Sequence, residues 1–155
     1  MKIKMLVMDI DGTLTDGRIY IGAAGEIMKA FDVKDGHGIV SFKKRGGIPV
    51  IITGRNSAIV EARAKELEIT ELFQGVSDKL ACLKKIAAGY DLLPNEIAYI
   101  GDDINDLACM NFCGLSACPA DAADEVKAAA DYICRTEGGR GAVREFLDWI
   151  ASENV

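Results

Sequence analysis

Three short apolar runs, each closing on a cluster of polar residues, constrain this chain more than any other feature. KMLVMD runs into Asp9 and Asp11, IPVIIT into Gly54 and Arg55, and EIAYIGD into Asp102, Asp103 and Asp106. The runs are continuously apolar rather than alternating, which is what strands of a parallel sheet need when helices cover both faces. Weaker strand signals stand in GLSACP and DYIC. Helical patterns occupy residues 37–45, 57–67, 79–88, 106–111, 122–129 and 142–151. This alternation predicts an α/β protein with a doubly wound, Rossmann-like parallel sheet. One segment departs from the rhythm. Residues 18–31 carry two strand-like arms around Gly22 and Gly25, a β-hairpin inserted after the first strand.

In an open parallel sheet, ligands bind beyond the carboxyl ends of the strands. The predicted topology therefore gathers Asp9, Asp11, Thr53 and Asp102 at one edge, with Lys79 at the start of a helix on the same side. Carboxylates so close together repel, and burial makes that repulsion more costly. A hard divalent cation such as Mg²⁺ relieves it. With a phosphate ester added, the metal bridges carboxylate and phosphoryl oxygen. The Thr53 hydroxyl, the Lys79 ammonium and the N–H groups of the loop after Asp9 suit the charge on a transferring phosphoryl group. An aspartate carboxylate can accept that group covalently. A second carboxylate two residues on can protonate the leaving oxygen and then activate water.

Bulk properties narrow the setting. The 155 residues suit a single domain. Eighteen basic residues against twenty-four acidic give a net charge of −6 with no basic stripe, which excludes nucleic acid as a partner. No apolar run reaches membrane-spanning length, and the one between Lys2 and Asp9 is too short for a signal-peptide core. Five cysteines, Cys82, Cys109, Cys113, Cys118 and Cys134, are odd in number and lie in apolar contexts. Cys109 and Cys113 stand four apart, with no further Cys or His to complete a zinc set. The expectation is reduced, buried thiols in a cytoplasmic protein.

DIDGTLTDG, ITGR, the downstream Lys79 and GDDIND, in that order across residues 7–106, resemble the four motifs of the haloacid dehalogenase-like phosphohydrolases. The resemblance implies Asp9 as nucleophile and Asp11 as general acid and base. It implies Mg²⁺ held by the Asp9 carboxylate, the Asp11 backbone carbonyl and Asp102, with Asp103 and Asp106 in the surrounding shell. Gaps of 14 residues for the hairpin and about 25 between Thr53 and Lys79 leave no room for a cap domain. Further stretches, FDVKDGHGI, ITGRNSAIVEARAKEL, FQGVSDKL, YIGDDINDL and GGRGAVREF, resemble the capless branch that hydrolyses 3-deoxy-ulosonic acid phosphates. Eight-carbon octulosonate 8-phosphate is the implied substrate. Relatives acting on nine-carbon 9-phosphates tend to carry an acidic residue where this chain has Arg55. The resemblance also implies a homotetramer in which hairpins pack together and neighbours help close each site. Candidate substrate contacts are Gly54, Arg55, Arg63, Asn105 and Arg140, the last on a glycine-rich segment that fits a mobile tail.

Plainer roles exist for several of these residues. Thr53 could cap the following helix, and Lys79 could be a solvated lysine at a helix start. Arg55 and Arg63 fit surface salt bridges as well as substrate contact, and Arg140 and Arg144 are equally open. His37, the single histidine, suits capping or packing at a glycine-flanked helix start. Two other classes of protein share parts of the pattern. One is a phosphate-accepting receiver domain, though its acidic pair is not a DxDGT loop. The other is a non-catalytic oligomerisation domain on the same fold, against which the intact motifs count.

Overall fold

Every side chain of β1 (Met5–Met8) is buried, because this strand lies inside the sheet with apolar layers above and below. The computed structural model describes residues 3–153, so Lys2 lies outside the described residues. After β1 come the hairpin strands β2 (Tyr20–Gly22) and β3 (Gly25–Met28), then α1 (Val33–Lys44), β4 (Ile48–Ile52) and α2 (Ala58–Glu66). They are followed by β5 (Glu71–Phe73), α3 (Lys79–Gly89), β6 (Ile97–Ile100), α4 (Leu107–Phe112) and β7 (Leu115–Cys118). α5 (Asp124–Ala129), β8 (Tyr132–Ile133) and α6 (Ala142–Glu153) complete the order. The main sheet runs β5-β4-β1-β6-β7-β8, and every pairing in it is parallel. From β1 the chain builds outward to one side through β4 and β5, then crosses back to β6 and builds to the other. The carboxyl end of β1 is thus the topological switch point, where such sheets open a crevice.

Both faces are covered, which accounts for the continuous apolar strands. Leu6, Met8, Ile51 and Ile100 point to one side, where Ile39, Phe42, Val60, Phe146 and Leu147 of the flanking helices meet them. Met5, Val7, Val50, Ile52 and Tyr99 point to the other, against Leu83, Ile86, Met110 and Val126. Burial of each such aliphatic side chain contributes about 1.5–3 kcal/mol. The hairpin forms a separate two-stranded antiparallel sheet after β1, pairing Ile21 with Glu26 and Gly22 with Gly25. No cap domain stands between the motifs.

Several local expectations are corrected. β5 was not anticipated by the sequence pattern; its three half-buried residues form the edge strand beside β4. α1 begins at Val33, capped by Asp32, whose side chain accepts from the Lys34 N–H at 2.7 Å. His37 therefore lies within the helix on its exposed side, and neither caps nor packs. Ser57, not Thr53, caps α2 by accepting from the Val60 N–H. Three of the five free cysteines, Cys109, Cys118 and Cys134, are buried, and the other two are half-buried. Among the described residues, no helix is long and apolar enough to cross a membrane.

Candidate active site

Asp9 leaves the end of β1 still tied to the sheet, its N–H donating to the Ile100 carbonyl at 3.1 Å. The chain then winds tightly. The N–H groups of Thr13, Leu14 and Thr15 all converge on the carbonyl of Ile10, at 2.9–3.1 Å. Gly12, at φ +98°, makes the turn possible in a region that disfavours side chains. It also sits directly beneath Asp102, so a Cβ at that position would lie 2.0 Å from Oδ2 of Asp102. The loop after β6 approaches from the other side, and Thr13 Oγ1 donates to Asp102 Oδ1 at 3.1 Å.

Lys79 joins the two loops. It is the first residue of α3, and its ammonium is buried and donates at 2.8 Å to both Asp9 Oδ1 and Asp106 Oδ1. It is not a solvated lysine. Asp106 is wholly buried and fully engaged. Its Oδ1 also accepts from the Tyr99 hydroxyl at 2.7 Å, and its Oδ2 from the N–H groups of Asp102 and Asp103. Asp106 thereby holds Lys79 and the Asp102 backbone at once. Asp103 is exposed and caps the turn Ile104–Asp106 by accepting from the Ile104 N–H.

Oxygens of Asp9, Asp102 and Asp106 lie within 4.8 Å of one another. Burial and the neighbouring Asp106 push the Asp9 carboxyl up from its usual value, with Lys79 opposing. Burial, Asp9 and Asp106 push Asp102 up to about 8. Burial works against the Lys79 charge, but Asp9 and Asp106 outweigh it and keep the ammonium firmly protonated. Two buried carboxyl groups, Asp9 and Asp106, and the half-buried Asp102 face one buried ammonium, so the cluster has room for added positive charge. A hard divalent cation with oxygen ligands fits that deficit.

The remaining sequence candidates fall in different places. Thr53 is buried at the end of β4, fixed through its backbone to Phe73 and Val76, and its hydroxyl makes no hydrogen bond among the described residues. Gly54 and Arg55 follow it on an exposed turn, and a Cβ at Gly54 would meet nothing closer than 3.7 Å. Asn105 is exposed on the turn after β6. Arg63 points elsewhere. Its guanidinium bridges Glu66 at 2.8 Å and the Asp32 carbonyl, and lies over the Phe31 ring. Arg140 is exposed and pairs loosely with Glu137 at 3.6 Å. The structure brings neither Arg63 nor Arg140 into contact with the carboxylate cluster.

The glycine-rich segment is docked rather than loose. Gly139 N–H donates to the Thr13 carbonyl at 3.0 Å, and Gly138 N–H to Asp121 at 2.9 Å. A Cβ at Gly138 would lie 1.9 Å from the Gly12 carbonyl oxygen. The segment thus buttresses the turn that carries Asp9 and Asp11. Sequence reasoning also missed Asp11's own neighbour. Lys29, just past β3, places its ammonium 2.5 Å from Asp11 Oδ1 and 3.1 Å from Glu26. The one available signal was two charges, Glu26 and Lys29, in an arm otherwise rich in apolar residues.

Comparison with known proteins bears on this geometry. Residues 65–147 match the model of the haloacid dehalogenase-like hydrolases. A 3-deoxy-D-manno-octulosonate 8-phosphate phosphatase of Yersinia pestis is 45% identical over 148 residues, covering 96% of this chain and 79% of that protein. The solved structure of such a phosphatase from Moraxella catarrhalis, in complex with magnesium, phosphate and KDO, superposes with a TM-score of 0.94. It is 41% identical, and the match covers 97% of this chain and 87% of that one. The cobalt-bound phosphatase of Haemophilus influenzae gives a TM-score of 0.95 at 37% identity, over 97% of this chain and 88% of that chain.

Proposed function

Since this chain belongs to the haloacid dehalogenase-like hydrolases, we propose that it hydrolyses 3-deoxy-D-manno-octulosonate 8-phosphate to the free sugar acid and phosphate. The observation that carries this reading is the buried Asp9–Lys79–Asp106 arrangement, with Asp102 beside it, at the switch point of the sheet. The name of the Yersinia pestis relative and the magnesium, phosphate and KDO in the Moraxella catarrhalis complex support the substrate.

In this reading Mg²⁺ is held by the carboxylates of Asp9 and Asp102 and the backbone carbonyl of Asp11. When bound, it neutralises the excess charge of the cluster and polarises phosphoryl oxygens. The free oxygen of Asp9 attacks phosphorus, forming a new P–O bond as the bond to the sugar oxygen breaks. Asp11 gives its proton to that departing oxygen. It then takes a proton from a water molecule whose oxygen attacks the aspartyl-phosphate, and phosphate leaves with Asp9 restored. Lys79 fixes the Asp9 rotamer and faces the transferring group, and the unpartnered Thr53 hydroxyl is available to donate to a phosphoryl oxygen. Asp103 and Asp106 shape the loop that carries Asp102. Gly54, Arg55 and Asn105 lie on the exposed turns around the crevice, where a sugar acid would extend. Arg63 and Arg140 could reach it only by leaving their present partners.

The chain works as a single domain with its hairpin inserted at 18–31. We place it in a cytoplasmic lipopolysaccharide-precursor pathway, consistent with five free thiols. The exposed apolar residues of the hairpin, Ile21, Ile27 and Met28, support a homotetramer. A phosphate-release screen over sugar phosphates, including eight- and nine-carbon ulosonates, with and without Mg²⁺, tests the proposal. Preference for the eight-carbon ester is expected. Preference for a nine-carbon 9-phosphate would move the substrate, and no hydrolysis even of p-nitrophenyl phosphate would remove the enzyme.

A further inference from the structure

Lys29 stands one residue beyond β3, between Met28, which is exposed, and Ala30. Its side chain nevertheless turns inward and is only 1% exposed. A buried ammonium needs anionic partners, and the fold supplies two, Asp11 Oδ1 at 2.5 Å and Glu26 Oε2 at 3.1 Å. Glu26 in turn accepts a hydrogen bond from the Ser57 hydroxyl through its other oxygen. Ser57 is the residue that caps α2, two places after Arg55. A continuous chain of polar contacts therefore runs from the loop after β1, through the hairpin, to the turn after β4.

We propose that Lys29 is a positioning residue for the reaction, holding the Asp11 carboxylate in the rotamer from which it exchanges a proton with the leaving oxygen, with Glu26 and Ser57 bracing Lys29 in place. The inference rests on the reading of Asp11 as general acid and base given above. Its chemistry is economical. Lys29 occupies Oδ1 only, and Oδ2 of Asp11 accepts no hydrogen bond among the described residues. One oxygen is clamped and the other is left for the proton. Asp11 has no such support from its own loop, where Thr13 serves Asp102 and Thr15 serves the backbone of Gly12 and Gly17. The clamp comes instead from the hairpin, through Glu26 and the residue just past β3.

A purely structural anchor and a positioning residue separate on leaving-group dependence. A sugar alkoxide is a poor leaving group that must be protonated as it departs, whereas p-nitrophenolate leaves unaided. The parameter kcat/KM reports phosphorylation of Asp9, the step in which Asp11 is the acid. Lys29→Met should lower kcat/KM for a sugar phosphate at least tenfold more than for p-nitrophenyl phosphate. Lys29→Arg, which keeps the charge, should recover most of the difference. A crystal structure of the Lys29→Met variant should show the Asp11 carboxylate in a different or divided rotamer. Equal losses on both esters, or Asp11 unmoved in that crystal structure, would overturn the proposal. Should Lys29→Met not fold, Glu26→Gln carries the same comparison, since it loosens Lys29 without removing it. Asp11→Asn serves as reference. If it shows no leaving-group bias, the acid assignment fails, while the rotamer in the Lys29→Met crystals still decides the role of Lys29.

Discussion

At the scale of single residues, the site is an exercise in compensating buried charge. Asp9→Asn should abolish turnover, because an amide does not accept the phosphoryl group, while the melting temperature stays near that of the wild type. Appreciable hydrolysis by the pure, Mg²⁺-loaded variant would contradict the assignment of Asp9. A second residue prediction concerns Asp35, buried on α1, whose Oδ1 accepts from the Arg144 N–H at 2.8 Å at the start of α6. Its Oδ2 has no hydrogen-bond partner among the described residues, and Asp32 and Arg63 line the same small apolar cavity. Burial, reinforced by Asp32 and opposed by backbone N–H groups at the start of α6, pushes its carboxyl up to about 6. The folded state thus favours the protonated form. The stability this gives is complete below about pH 4 and is lost as the pH rises through about 6, a change on the order of 3 kcal/mol. Asp35→Asn stays neutral throughout, so its melting temperature should gain on the wild type between pH 4 and 6 and run parallel above. A constant offset across that range would contradict the shift. The residues of the ordered motifs, Asp9, Thr53, Lys79 and Asp102, could be read from the chain because each ends or begins an apolar run. Lys29 and Asp35 could not. Their meaning depends on partners 18 and 109 residues away, and no local pattern announces them.

At the scale of elements, the three continuous apolar runs became β1, β4 and β6 as expected, since continuous burial leaves a continuous signal. β5 escaped because an edge strand of three half-buried residues has too few positions to show a period. The start of α1 was placed late because Gly36 and Gly38 depress helix propensity, while tertiary packing and the Asp32 cap begin the helix earlier. Burial of Gly36 and Gly38 shows what those glycines are for: a Cβ at Gly36 would lie 2.6 Å from Arg63, and one at Gly38 3.0 Å from Arg144. The hairpin was legible as a hairpin, but not as the support of Asp11. Its exposed Ile21, Ile27 and Met28 would be marginal in water for two strands alone. Replacing residues 20–28 with a short Gly-Ser linker should lower the oligomeric state in light scattering and reduce sugar-phosphate turnover by at least tenfold. Hydrolysis of a small aryl phosphate should suffer less. An unchanged mass in light scattering would refute the role of the hairpin in assembly.

At the scale of the whole molecule, six parallel strands bring loops from distant parts of the chain to one edge, and a divalent cation should complete what they assemble. Exhaustive EDTA treatment should eliminate activity, and Mg²⁺ should restore it. Ca²⁺ should inhibit, because it takes more ligands at 2.3–2.6 Å where Mg²⁺ holds an octahedron at about 2.0–2.1 Å. Turnover in Ca²⁺ equal to that in Mg²⁺ would count against the assignment. The glycine contact between residues 138–139 and the turn at 12–16 carries a different kind of consequence. About 125 residues separate the two partners along the chain, so closing that contact is a late event in folding. On a ribosome adding about 5–20 residues per second, Asp9 emerges on the order of ten seconds before the segment that buttresses its turn. A nascent chain therefore holds Asp9 well before the turn that carries it is braced, and activity should begin with closure rather than with synthesis of the motif.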